Sequence, residues 1–175
     1  MAGRTGPPGL DETGLLEGFC ERCRERGIGL VHAAGGDVLK LVGDGTLAIF
    51  TGADRSEAAL AALKAEAELE ERIATLNATR LAQETAVTSV YLALHVGEVF
   101  YGNVGSDERL DFTVIGAAVN EVCRIASTCR RANRSPLVSS AFVELLPPAK
   151  RSAFETIGSF HLKGVRESRE LFARL

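Results

Sequence analysis

The chain lacks any apolar run near the ~18 residues that a membrane-spanning helix needs, and its start does not have the pattern of a secretory signal. No membrane segment is expected in it, and a cytoplasmic location follows as the expectation. It also lacks a basic excess, with 20 Lys and Arg against 23 Asp and Glu and a formal net charge of −3. Nucleic-acid binding draws on clustered cations facing phosphates, so that class of partner is disfavoured. Repeats and low-complexity tracts are absent. Cysteines number four, Cys20, Cys23, Cys123 and Cys129. They read as thiols in a reducing compartment. A four-cysteine zinc site is the alternative, and the five residues between Cys123 and Cys129 argue against it.

What is present is ordinary globular composition, 46% apolar and 25% charged over 175 residues. That is one domain, long enough to bury roughly 70% of the surface its unfolded chain exposes. Residues 1–10, rich in Gly and Pro, read as a loose segment ahead of a domain over 11–175. Asp11 reads as the N-cap of a helix to about Ala34, against the helix-weakening Gly14, Gly18, Gly27 and Gly29. "VLKLV", "GDG" and "TLAIF" read as strand, turn and returning strand. Residues 54–80, with neither Pro nor Gly from Arg55 on, predict a long helix. "SVYLALHVGEVFYGNVG" reads as two strands around Gly97, and "DFTVIG" as another. Gly116 opens a helix to about Arg131. "PLVSS" reads as a strand, with Ser140 capping a short helix that Pro147 and Pro148 end. "AFETIG", "SFHLKG" and "RELFARL" read as short C-terminal strands. Strands alternating with helices predict a layered α/β or α+β fold.

Three places could carry chemistry. Asp44, between Gly43 and Gly45 at the hairpin turn, is a carboxylate suited to a hard divalent cation, although Asp-Gly is also an ordinary hairpin pair. Asn120 and Arg124 lie four apart on a helix and share a face, as an amide and a guanidinium suited to a phosphoryl group. Lys163 follows a strand and precedes Gly164, where an ammonium can meet a terminal phosphate. His32, His95 and His161 are scattered, and His95 on an alternating strand reads as a core or interface residue rather than a base.

Taken in order, "K-x-x-GDG-x-x-x-x-F", "H-x-GE-x-x-x-GN-x-G", "DFTVIG-x-x-VN-x-x-x-R" and "LKG-V" resemble the catalytic domain of class III nucleotide cyclases, over about residues 15–175. The resemblance implies an α+β fold with a ferredoxin-like core, helices packed on a mostly antiparallel sheet. It implies a homodimer, or a heterodimer with another cyclase domain, with the site at the interface. It implies ATP as substrate, two divalent cations (Mg²⁺ or Mn²⁺), and cyclic AMP and pyrophosphate as products. Asp44 then matches a metal-binding aspartate. Asn120 matches the residue that positions the ribose, and Arg124 the one that stabilises charge at the α-phosphate. Lys163 matches the binder of the outer phosphates. Lys40 and Thr113 match the base-reading pair. A lysine donates to N1 of adenine but would face a donor on guanine, so ATP is expected over GTP.

The family's opening strand, an apolar-apolar-Phe-x-Asp run with the first metal aspartate, has no counterpart in this sequence. The expectation is therefore an N-terminally truncated domain with a weakened metal site, its central strand missing unless another segment or a partner fills the gap. The alternative is a degenerate cyclase that binds nucleotide or dimerises without turnover. A diguanylate cyclase, suggested by "GGD" at 35–37, is disfavoured because that triplet precedes the hairpin turn instead of forming it.

Overall fold

The computed structural model describes the backbone of residues 10–19, 24–42, 45–106 and 109–175, and the side chains of 28–39, 45–100 and 114–175. Along the chain it forms β1 (Leu10–Phe19), α1 (Arg24–Ala33), β2 (Gly36–Val42), β3 (Gly45–Thr51), α2 (Arg55–Ala82), β4 (Tyr91–Ser106), β5 (Arg109–Ile115), α3 (Ala117–Ala132), β6 (Leu137–Ser139), α4 (Ser140–Leu145), α5 (Pro148–Arg151), β7 (Phe154–Phe160) and β8 (Arg169–Arg174). The strands lie in the order β2-β3-β1-β4-β6-β8-β7, with β5 on the outer half of β4. Only the β4–β6 pairing is parallel among the described ladders. The result is an α+β fold, helices packed on a mixed and mostly antiparallel sheet.

Period-two alternation sets the layers. On β3 and β4, Ala48, Phe50, Leu92, Leu94 and Val96 face α2 and α4, while Leu47, Ile49, Ala93 and Val99 face α3. All nine are buried, so both faces of the sheet are covered. Phe50 is among the largest fully buried side chains, and truncating such a residue typically costs about 3–5 kcal/mol.

Two expectations are corrected here. Residues 11–34 do not form one helix. Asp11 lies on β1, and the helix is confined to α1. The gap expected at the centre of the sheet is filled by this same segment, with Leu16 paired to Ala48 on one side and Leu94 on the other. The physical reason is tertiary. A helix containing Gly14 and Gly18 is weak, whereas a strand there satisfies the edges of both β3 and β4. Secondly, β4 is one continuous strand through Gly97, pairing with β1 and β6 in its first part and with β5 from Phe100 on.

The hairpin of β2 and β3 forms as expected, with Val42 paired to Gly45; Asp44 at its turn lies outside the described residues, as do Cys20 and Cys23. The long helix also forms, one residue beyond the expected start. Asp54 caps it by accepting from the Glu57 N–H at 2.8 Å, and the Glu57 carboxylate accepts from the Ala53 N–H at 2.6 Å. Ala58, Ala59, Ala62 and Ala65 let α2 approach the sheet closely. For α4 the cap is Ser139 rather than Ser140, accepting from the Phe142 N–H at 3.3 Å. Cys129 is buried against β4, its thiol donating to the Leu92 carbonyl at 3.2 Å.

On α2 an acid is buried. Glu66 has no exposed surface and contacts Arg174 of β8 through Oε2, while Oε1 has no hydrogen-bond partner among the described residues. Burial raises its pKa from the ordinary 4.5 to about 7, with Glu70 adding to the rise and Arg174 opposing it. Between those values the folded chain holds a proton that the unfolded chain has released, so stability falls as pH rises through that window. Glu66→Gln is expected to flatten the fall in melting temperature between about pH 4.5 and 7. Melting curves against pH check this, and an unchanged slope would show that Glu66 is not the group responsible.

Candidate functional site

The site is built around the start of α3. Gly116 precedes the helix because a Cβ there would lie 2.9 Å from the Glu98 carbonyl oxygen and 3.3 Å from Val99 Cα. The helix buries Ala118, Val122, Ile125, Ala126 and Cys129 against the sheet. Asn120 and Arg124 fall on the opposite, exposed face, one turn apart. The Asn120 amide reaches back to the Gly116 carbonyl at 3.5 Å.

Lys163 does not follow a strand directly. "HLKG" is a loop and not part of a strand, which corrects the sequence reading. The Val165 N–H donates to the Leu162 carbonyl at 3.0 Å, closing a tight turn with Lys163 and Gly164 at its centre. Gly164 takes φ +84°, the conformation that a type II turn requires at its third residue. Leu162, 1% exposed, pins the turn to the core and leaves Lys163 outside it.

Lys40 lies on β2, paired in register with Leu47, and Thr113 lies on β5, paired with Gly102. The two strands touch each other, so the topology brings the expected base-reading pair onto neighbouring elements. A cleft of about 830 Å³ runs along α2 beside Leu30, Leu69, Ile73 and Leu76, and among the described residues that line it none is an expected site residue.

Behind the exposed face of α3 is a polar cluster that the sequence reading did not find. Arg169 grips Glu121 with two hydrogen bonds, Nε to Oε2 at 2.9 Å and Nη2 to Oε1 at 3.2 Å. Its Nη1 also reaches Glu167 at 3.2 Å. His95, 7% exposed, stands with Nε2 3.8 Å from Glu121 Oε2 and Nδ1 2.9 Å from Ser139 Oγ. The Arg169 hydrogen bonds hold the Glu121 pKa below its ordinary value, with burial working against them. Burial lowers the His95 pKa, against the pull of Glu121, and keeps the ring neutral at neutral pH. One signal could have pointed to Glu121. An acid stands inside the apolar stripe Ala118–Val122–Ile125, where it needs a partner. Nothing in spacing identifies Arg169, 48 residues away.

The packing that brings α3 to this cluster is tight. A Cβ on Gly97 would lie 2.6 Å from the Ala118 Cβ and 3.4 Å from His95 Nε2. Gly97→Ala is therefore expected to destabilise the fold by about 1–3 kcal/mol, the usual cost of overpacking, with partial recovery on adding Ala118→Gly. Denaturant unfolding of the single and double variants checks this.

No family model matches the sequence. An uncharacterized protein of Mycobacterium tuberculosis is 28% identical over 140 residues, covering 78% of this chain and 23% of that protein. A second from the same species is 35% identical over 109 residues, covering 60% of this chain and 17% of that protein. The chain thus spans less than a quarter of the length of these curated relatives. Among solved structures, a bacterial light-regulated adenylyl cyclase superposes with a TM-score of 0.81 at 21% identity, covering 97% of this chain and 54% of that one. The adenylyl cyclase CyaB of P. aeruginosa gives 0.75 at 18% identity, covering 94% of each chain. The guanylate cyclase domain of RhGC from Catenaria anguillulae gives 0.74 at 14%, covering 96% of this chain and all of that one. The chain has the fold of the catalytic domains of adenylyl and guanylyl cyclases, the class III nucleotide cyclases.

Proposed function

We propose that this chain is a nucleotide cyclase domain that converts ATP to cyclic AMP and pyrophosphate in intracellular signalling. The observation that carries the reading is the exposed pair Asn120 and Arg124, one turn apart at the start of α3, on a cyclase fold. In the reaction the ribose 3′-oxygen attacks the α-phosphorus and loses its proton to solvent. The bond from that phosphorus to the bridging oxygen breaks, and pyrophosphate leaves with the electron pair. Asn120 would orient the ribose. Arg124 would face the charge that grows on the α-phosphoryl oxygens, where a preorganised cation acts on the transition state more than on the ground state. Lys163, held outward on its turn, would bind the outer phosphates. Lys40 and Thr113 would read the base, and the donor-only lysine favours ATP over GTP.

Two divalent cations, Mg²⁺ or Mn²⁺, suit carboxylates at the β2–β3 turn. Asp44 lies between β2 and β3 in sequence. When bound, the ions would neutralise the triphosphate and favour loss of the hydroxyl proton.

A second copy of the chain is the proposed partner. Phe100 and Ile115 are cross-strand neighbours on β4 and β5, 69% and 49% exposed. Large adjacent apolar side chains left in water mark a surface that another chain can cover. Phe100→Asp is expected to shift the protein to monomer in sedimentation velocity and to abolish turnover. A dimer that persists unchanged would move the interface elsewhere.

A specific observation favours a second reading, a nucleotide-binding module without turnover. The sequence of β1, "LDETGLLEGF", lacks the family's Phe-x-Asp pattern. Cyclic nucleotide formation by the full chain, with ATP or GTP and excess Mn²⁺, separates the two. Cyclic AMP formation is expected, with Arg124→Ala lowering kcat by about 10²–10³ and leaving KM for ATP nearly unchanged. ATP binding with no product would select the second reading, and no binding would reject both.

A further inference from the structure

We infer that Glu121 and Arg169 are positioning residues, a side-chain clamp that ties the loop carrying Lys163 to the helix carrying Asn120 and Arg124. The inference rests on the nucleotide reading for its consequence, but its geometry stands independently.

Residues 161–168 lie between β7 and β8 and belong to neither strand. The loop is secured at its start by Leu162, buried in the cluster that also contains Val122 and Ile125 of α3. Val165, half-buried, packs against that same cluster. At its far end stands Arg169, the first residue of β8. The Arg169 guanidinium meets Glu121 through two parallel hydrogen bonds, a geometry that fixes direction as well as distance. Glu121 is the residue after Asn120 and three before Arg124. A displacement of either partner is thus felt on both sides of the pair, in the turn that presents Lys163 and in the helix that presents Asn120 and Arg124.

The surroundings keep this pair rigid. The Glu121 side chain is 14% exposed and that of Arg169 33%, so water competes weakly for the acid. His95 stands behind Glu121, held in turn by Ser139 at the end of β6. Helix α3, the core strand β4, the short strand β6 and the start of β8 therefore meet in one connected polar group. Neither Glu121 nor Arg169 would touch the nucleotide. Their effect would be to hold three phosphate- and ribose-facing side chains from two distant segments in one arrangement, so that binding energy is not spent on ordering the loop.

The test uses the full chain with Arg169→Met, Glu121→Gln and the conservative Arg169→Lys. The first readout is amide hydrogen exchange without nucleotide. Arg169→Met is expected to speed exchange in residues 161–168 by about tenfold, the scale for losing a charge-assisted forked pair, with α2 unchanged and Arg169→Lys intermediate. Exchange in that loop equal to the parent's would overturn the clamp. Should Arg169→Met fail to fold, Glu121→Gln, which keeps the side-chain volume, provides the same readout. The second readout is ATP turnover. A clamp that positions Lys163 and α3 together predicts a rise in KM with a fall in kcat, partly rescued by Arg169→Lys. A loss of melting temperature with kcat and KM unchanged would reduce the pair to a structural role and overturn the positioning claim. If the parent neither binds nor turns over ATP, the nucleotide reading fails, while the exchange result still decides whether the clamp exists.

Discussion

Backbone pairing of β1 along both of its edges is the constraint on which the rest of the structure depends. Between β3 and β4 there is room for one strand, and Leu10–Phe19 occupies it through ladders on each side. Helix α2 and helix α3 both pack on this strand, from opposite faces. Remove it, and two interior edges lose their partners while both helices lose their floor. The strand has no strong intrinsic preference for this conformation. It is held there because a buried amide or carbonyl without a partner is costly, and each of its neighbours supplies the matching half.

The same geometry explains how a polar cluster can exist at the base of α3. Gly97 and Ala118 let helix and strand approach closely enough for His95 to lie near Glu121. Side chains larger by one methyl group would separate them. Close approach also removes water, which makes any charge there expensive unless it is met directly. Arg169 meets it with a fork, and the segment carrying Lys163 is drawn toward the helix as a consequence.

Two acids show how burial and partners together decide the protonation of a carboxylate. Glu121 receives two well-directed hydrogen bonds from Arg169 and its pKa falls. Glu66 is buried more deeply. That burial raises its pKa to about 7, with the like charge of Glu70 adding to the rise and Arg174 opposing it, while Oε1 has no hydrogen-bond partner among the described residues. Both have an arginine from β8 as partner. The difference lies first in depth of burial, which dominates at Glu66 and is outweighed by the Arg169 hydrogen bonds at Glu121, and then in the sign of the next neighbour.

Local rules written in neighbouring residues were enough to read the β2–β3 hairpin, the long helix over residues 54–80, the helix opening at Gly116, and the shared face of Asn120 and Arg124. Turn residues, caps and a 3.6-residue stripe act over a few positions and leave their mark in the order of amino acids. The assignment of residues 11–34 to helix failed where competition was non-local. Gly14 and Gly18 left the segment weakly committed, and two distant strands settled it as β1. Gly97 looked like a break and is instead a contact point, because its role is set by Ala118 twenty-one residues on. The Glu121–Arg169 pair was invisible for the same reason, since charges 48 residues apart attract only after the chain has brought them together. The sequence by itself determined the elements with strong local signals and the chemistry available on them. The tertiary structure alone decided which weak segment completes the sheet and which buried charges meet, because hydrogen-bond satisfaction and desolvation act on neighbours in space.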